Sequence, residues 1–295
     1  MNIDRHCKCF GGPRPARIST ARHLARLVVA LIAVVPGPLR SDPDSLSGVA
    51  PDSSGMLSSI TLPRPGTNDV LPRVEQPFRP GESLRFSVQY GFIHAGSAWL
   101  EVPQVAEWKG RPAYTLVARA ESNAFFSRFY KVRNRIESTW DRQDLFSWRY
   151  FEDRREGGYR AHSEILFDHD RHEAHYSNGQ TYPIPPNVQD ALSSFYFTRF
   201  QALPIGGSVV FDYHASRKSQ PLEVRVLGRE RVETPAGKFD CVVIEPLLKA
   251  GGIFKNKGRL VIWLTEDARR MPVMMRSKVA IGSISVILQS VRPGA

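Results

Sequence analysis

"YKVRNRIESTW", residues 130–140, decides how this chain folds. Tyr130, Val132, Ile136 and Trp140 alternate with Lys131, Arg133, Arg135 and Glu137. A period of two gives one dry face and one wet face, which is the pattern of an antiparallel strand lying over a core. The same period recurs on both sides. In "LRFSVQY" (84–90), Leu84, Phe86, Val88 and Tyr90 share a face. In "LEVRVLG" (222–228), Leu222, Val224 and Val226 do. Turn residues punctuate the runs: Gly110, Gly157-Gly158, Asn178-Gly179, Pro235-Ala236-Gly237 and Gly251-Gly252. The spacing predicts about a dozen strands, and a twisted sheet of that size must curl or close. The expected fold is therefore mainly β: one large antiparallel curved sheet, a barrel or half-barrel, in a single domain over residues 78–290 with a short tail at 291–295.

One segment departs from this rhythm. "DALSSFYFTRFQAL" puts Leu192, Phe195, Tyr196, Phe200 and Leu203 at helical spacing, with Asp190 as N-cap and "PIGG" as terminator. This predicts one helix over about 190–203 whose apolar stripe covers the dry face of the sheet. A lid over an apolar cavity is the sharper alternative.

The ends read differently. Residues 1–40 combine a basic leader (Arg5, Lys8, Arg14, Arg17, Arg22, Arg26) with the apolar run "LVVALIAVV" (27–35) and the breakers Pro36, Gly37 and Pro38. That is the pattern of a secretory signal peptide, with an uncleaved N-terminal anchor as the alternative. The segment carries seven basic residues against one acid, so its removal lowers the net charge from +11 to +5. A mildly basic exported chain is a weak candidate for nucleic acid. Of the 3 cysteines only Cys241 would remain, which leaves no intrachain disulfide. Residues 41–77, rich in Ser, Pro, Gly and Asp, read as a disordered linker. The expected location is the periplasm or cell envelope.

Four phrases carry a resemblance. They are "FRPGESLRFSVQYGFIHAGSAWLEV" (78–102), "DALSSFYFTRFQALPIGG" (190–207), "VETPAGKFDCVVIEP" (232–246) and "GRLVIWLTEDARRMPVMMRSKVAIGSISVIL" (258–288). In this order they resemble the exported bacterial family called domain of unknown function 3108. The resemblance implies export to the envelope and a mostly β fold, and it brings no catalytic residues. Gly237 in these phrases suits a tight hairpin turn, and Gly96 suits a bulge or bend where the sheet curves. Glu82 and Arg199 call for more. An Arg on a helix whose neighbours Tyr196 and Phe200 face the core needs a carboxylate or carbonyl partner, which a structural pairing supplies; anion recognition is the alternative, with Arg199, Tyr196 and Glu82 as the ligand-binding candidates.

Signatures of catalysis are missing: there is no G-x-S-x-G elbow, no phosphate-binding loop and no G-x-G-x-x-G after a strand. Cys241 sits among strand residues as a small hydrophobe. The histidine-rich "EILFDHDRHEAHY" (164–176) lacks the H-E-x-x-H spacing. It reads as a hairpin with Asp168–Arg171 as the turn, Phe167 facing His172 and Glu164 facing His175. His172 and His175 then lie on opposite faces. The metal alternative that survives is His162, Glu164 and His175 on one wet face. No cofactor is expected. Lys249, Lys255, Lys257 and Arg259 make a basic end suited to a membrane surface or an acidic glycan. The chemistry points to a non-enzymatic module that binds an apolar or amphiphilic ligand or an envelope component. The alternatives are a hydrolase acting on an envelope glycan or lipid, and an assembly scaffold.

Overall fold

The computed structural model describes residues 76–248, 259–278 and 282–295. These residues form one 14-stranded antiparallel sheet, curved and unclosed. Its first half runs β1 (Ser83–Tyr90), β2 (Ile93–Trp108), β3 (Arg111–Ser122), β4 (Val132–Asp141), β5 (Ser147–Glu156), β6 (Tyr159–Asp168), β7 (Glu173–Tyr176) and β8 (Thr181–Pro183). The second half runs β9 (Ser208–Ala215), β10 (Lys218–Thr234), β11 (Gly237–Leu248), β12 (Leu260–Thr265), β13 (Pro272–Lys278) and β14 (Ser283–Arg292). Each half is a simple meander. The halves join where β1 pairs with β14, so β8 and β9 become the two edges. No helix among the described residues is long and apolar enough to cross a membrane.

The opening stretch lies on β4, with Val132, Ile136 and Trp140 facing the interior. Asn134 and Ser138 face the same way and are also buried. Such inward polar groups need partners. Asn134 Nδ2 donates to Glu156 Oε1 at 3.0 Å, and Ser138 Oγ donates to Asp190 Oδ2 at 2.5 Å. The interior core includes Leu84, Phe86, Leu100, Leu116, Phe167, Leu222, Ile262 and Val286. A smaller apolar cluster of Val232, Cys241, Val243, Trp263 and Val273 packs separately, on residues that alternate with the interior ones along β11 and β12. Gly96 lies at the register shift between β1 and β2. A Cβ there would stand 2.1 Å from the Glu121 carbonyl oxygen of β3, so close backbone approach excludes any side chain.

Two helices are present among the described residues: α1 (Ala124–Ser127) and α2 (Ser193–Arg199). No helical spacing in the sequence points to α1. The second is the expected helix, shortened from 190–203. Asp190 Oδ1 accepts from Leu192 N at 2.7 Å and Ser193 N at 2.8 Å, but these bonds hold the turn that leads into the helix, and the N-cap position falls on Leu192, whose side chain makes no cap hydrogen bond. At the other end Phe200 N and Gln201 N bond three residues back, to Phe197 O and Thr198 O. That tightened last turn closes the helix well before Pro204. Leu192 and Tyr196 are buried in the core, where Phe78, Trp140, Tyr196 and Phe200 form a contiguous ring cluster with centroid spacings of 5.1–6.5 Å.

The β6–β7 hairpin needs a correction of register. Phe167 pairs with Ala174 and Ile165 with Tyr176, two residues along from the expected pairing. Asp168 stays in the strand, and its Oδ1 accepts from Asp170 N and Arg171 N at 3.1 and 3.0 Å. The turn is residues 169–172, completed by His172 at φ +56°. A shift by two preserves parity, so Ile165, Phe167 and Ala174 still face inward while Leu166 and His175 face outward. His172 belongs to the turn and not to the apolar side of the strand.

Candidate functional site

Arg199, Glu82 and Tyr196 do meet. Arg199 Nη1 donates to Glu82 Oε1 at 2.7 Å and Nη2 to Oε2 at 3.2 Å. The same guanidinium donates to the Pro77 carbonyl at 3.0 Å and, through Nη2, to the Arg269 carbonyl at 3.0 Å. It packs over the Phe78 and Tyr196 rings, 4.9 and 5.5 Å from their centroids. Both charged side chains are buried. The group pins α2 to the start of the sheet and to the β12–β13 turn, and its donors are spent on protein acceptors. The Tyr196 hydroxyl has no hydrogen-bond partner among the described residues, and burial holds its phenol far above the ordinary range.

His162, Glu164 and His175 are not gathered. Glu164 is ion-paired with Arg149. His175 Nδ1 lies 3.1 Å from Thr181 Oγ1, with Nε2 3.4 Å from Glu173. His162 packs edge-on to the Phe151 ring at 5.1 Å. Among the described residues no group of three His, Cys, Asp or Glu side chains is placed to hold a metal ion. Of the basic end, Lys249, Lys255 and Lys257 lie outside the described residues. Arg259 is paired with Glu245 at 2.7 Å.

The concavity that gathers polar groups lies where the edges of the sheet approach each other. It holds about 290 Å³ and is lined by Tyr150, Glu152, Ile165, Tyr176, His214 and Arg217, among others. A directed chain of hydrogen bonds crosses it. The Arg217 backbone N–H donates to Tyr176 Oη at 2.9 Å, and Tyr176 Oη lies 2.9 Å from His214 Nε2. His214 Nδ1 lies 2.8 Å from Ser219 Oγ, which donates to the Pro183 carbonyl at 3.3 Å. With the Ser219 proton given to Pro183, the serine oxygen accepts from His214 Nδ1–H, and Nε2 accepts from the Tyr176 hydroxyl. The assignment requires neutral imidazole. Burial supplies that, pulling His214 down to about 4 and pushing Tyr176 up to about 12. Across the cleft the buried Tyr150 hydroxyl donates to Glu152 Oε2 at 3.0 Å.

The segment before α2 closes the seam from behind. Gln189 N donates to the Asp212 carbonyl at 2.9 Å, and His214 N donates to the Gln189 carbonyl at 2.8 Å. The Gln189 side chain accepts from Trp140 Nε1 at 2.9 Å. Asp190, beneath the cleft, has its carboxyl raised by burial even though the Ser138 hydroxyl and the Leu192 and Ser193 backbone N–H groups donate to it. None of Tyr150, Glu152, Tyr176 and His214 was singled out from the sequence. They come from three strands, β5, β7 and β9, and only the curvature of the sheet makes them neighbours.

The sequence pattern of the family described as protein of unknown function (DUF3108) matches residues 85–289. No curated protein matches the chain. Among solved structures, a β-barrel-like protein of domain of unknown function DUF1849 from Brucella abortus superposes with a TM-score of 0.53 at 8% identity, covering 74% of this chain and 99% of that one. At that identity the likeness is one of fold. A protein described as exported, with a YmcC-like fold, from Bacteroides fragilis gives a TM-score of 0.35 at 14% identity, covering 73% and 97%. One described as a lipoprotein, from Parabacteroides distasonis, gives 0.34 at 10%, covering 73% and 98%.

Proposed function

Given that the chain belongs to the DUF3108 family of proteins of unknown function, we propose that it is an exported cell-envelope protein that binds an apolar or amphiphilic ligand, or another envelope component, in the seam cleft. The observation that carries this reading is the cleft itself. Apolar Ile165 and Ala191 share it with a neutral, mutually satisfied Tyr176–His214 pair and with one carboxylate, Glu152. A polar cleft that also presents Ile165, Ala191 and the faces of Tyr150 and Tyr176 suits a ligand with both polar and apolar parts. The ring cluster of Phe78, Trp140, Tyr196 and Phe200 packs beneath α2, which favours the seam over the interior of the sheet as the place for a ligand. Anionic envelope lipid or acidic glycan is the partner class for the basic connection that carries Lys249, Lys255 and Lys257.

A hydrolase is the second reading, since Glu152, His162 and His214 line one cleft. It finds less support. His214 contacts a serine and a phenol, where a base of a nucleophilic triad would be oriented by a carboxylate.

Native mass spectrometry of the protein purified from its own host, followed by lipid extraction, tests the proposal. A bound amphiphile is expected in the wild-type protein and absent from Ser163→Trp, which narrows the cleft. A wild-type protein that carries no ligand and takes up no added amphiphile overturns it.

A further inference from the structure

Four large apolar side chains stand in solvent at one end of the curved sheet: Phe92 is 104% exposed, Ile93 56%, Phe125 63% and Phe129 73%. The interior takes Phe78, Phe86 and Phe167, so these four mark a concentrated exception. The patch is built. Gly91, at φ +58°, takes the first position of the two-residue β1–β2 turn and leaves Phe92 at its apex. Asn123 caps α1 by accepting from Phe126 N at 2.9 Å, and its Nδ2 donates to the His94 carbonyl at 2.6 Å. That bond fixes α1 beside the hairpin tip. Phe125 packs on Phe126 and Phe129 with centroids 5.6 and 5.7 Å away.

Charge singles out the same end. In an antiparallel meander alternate connections lie at the same end. The described connections here are 91–92, 123–131, 157–158, 177–180 and 216–217. They carry Arg128, Lys131 and Arg217 and no carboxylate. The opposite end mixes Asp144, Asp170, Glu266 and Asp267 with its arginines. Ser177, Asn178, Ser216 and Arg217, which line the cleft, also belong to the cationic end.

We propose that this end docks on an anionic lipid bilayer, with Phe92, Ile93, Phe125 and Phe129 in the head-group layer and Arg128, Lys131 and Arg217 over the phosphates. Aromatic rings favour that interface, and cations around them select negative head groups. Docking brings the mouth of the cleft to the membrane surface. The inference rests on the reading of the chain as an envelope protein, but it does not require the cleft to hold a ligand.

The test uses the full chain with Cys7→Ser and Cys9→Ser, carrying an environment-sensitive NBD label at Phe92→Cys or, as a control, at Gln143→Cys in the exposed β4–β5 turn of the opposite end. Cys241 is buried and does not compete for label. With vesicles containing phosphatidylglycerol, the label at 92 is expected to brighten several-fold and shift to the blue, while the label at 143 stays unchanged. With phosphatidylcholine alone the response at 92 should be small. Arg128→Glu with Lys131→Glu should weaken vesicle binding about tenfold or more. An unresponsive label at 92, as a protein-docking surface would give, overturns the proposal. So does an equal response at both positions, which is what tethering by the apolar segment at 27–35 alone would give, or a response indifferent to lipid charge. Because lipid extraction reports the cleft and the label reports the tip, the two proposals fail separately.

Discussion

Tyr176 on β7 and His214 on β9 lie 2.9 Å apart, and through them the two ends of the 14-stranded sheet meet by side chains where no ladder joins them. Unpaired edges are normally blunted or covered. Here a phenol, an imidazole and a serine span the gap, and α2 packs against the core behind it.

Tyr176→Phe removes the link while keeping the ring. The Arg217 N–H and His214 Nε2 both lose their partner, so the cost is about 1–3 kcal/mol. Urea unfolding should show a lower midpoint with an unchanged slope. Amide exchange should quicken first in β7, β8 and β9. A variant as stable as wild type would mean that the contact does not hold the seam.

Acid should loosen the same seam. His214 titrates at about 4 in the fold against 6.5 for the ordinary imidazole, so the unfolded chain binds its proton first. Its contribution is complete above pH 6.5 and is lost as pH falls toward 4, on the order of 3 kcal/mol at about 1.4 kcal/mol per unit. His169, lowered chiefly by burial, adds in the same direction. Urea midpoints at pH 7.0 and 4.5 measure the effect, and His214→Gln should flatten the difference. A wild-type midpoint independent of pH over that range counts against a buried neutral His214.

The alternation in residues 130–140 made the sheet legible, because period two states which side chains share a face. It does not state which groups of the next strand, or of the segment before α2, reach a buried position. Asn134 and Ser138 were therefore readable as positions on β4, but not as partners of Glu156 and Asp190. The cleft was opaque for the same reason: Tyr176 and His214 are 38 residues apart, and no local pattern couples them. The hairpin register slipped because Asp168 bonds the turn backbone while remaining in the strand, and because His172 adopts a left-handed conformation that favours glycine. The Arg199–Glu82 pair was within reach, since an arginine between core-facing aromatics on a helix must find an acceptor.

That pair yields a third prediction. Arg199→Met leaves the Glu82 carboxylate buried with nothing to neutralise it, at a cost of about 3–5 kcal/mol. Adding Glu82→Leu removes the stranded charge and should recover a substantial part, which a double-mutant cycle on unfolding free energies would reveal as a strong coupling. Additive losses would show that the two side chains act independently.

Two glycines separate close packing from conformational need. Gly96 and Gly228 both sit in strands with φ outside the left-handed region, so neither is kept by backbone torsion. At Gly96 an added Cβ falls 2.1 Å from the Glu121 carbonyl oxygen, and the obstacle is the backbone of β3, which cannot swing aside as a side chain could. Gly96→Ala must therefore push β2 and β3 apart at the end that carries Phe92 and α1, and should cost at least about 3 kcal/mol. At Gly228 a Cβ meets nothing within 4 Å. Gly228→Ala should fall within about 0.5 kcal/mol of wild type, since only the entropy of the unfolded chain changes appreciably. Thermal unfolding of the two variants side by side decides the matter. Equal stability would mean that β2 can retreat from β3 at little cost, and that the bend at Gly96 is not enforced by packing.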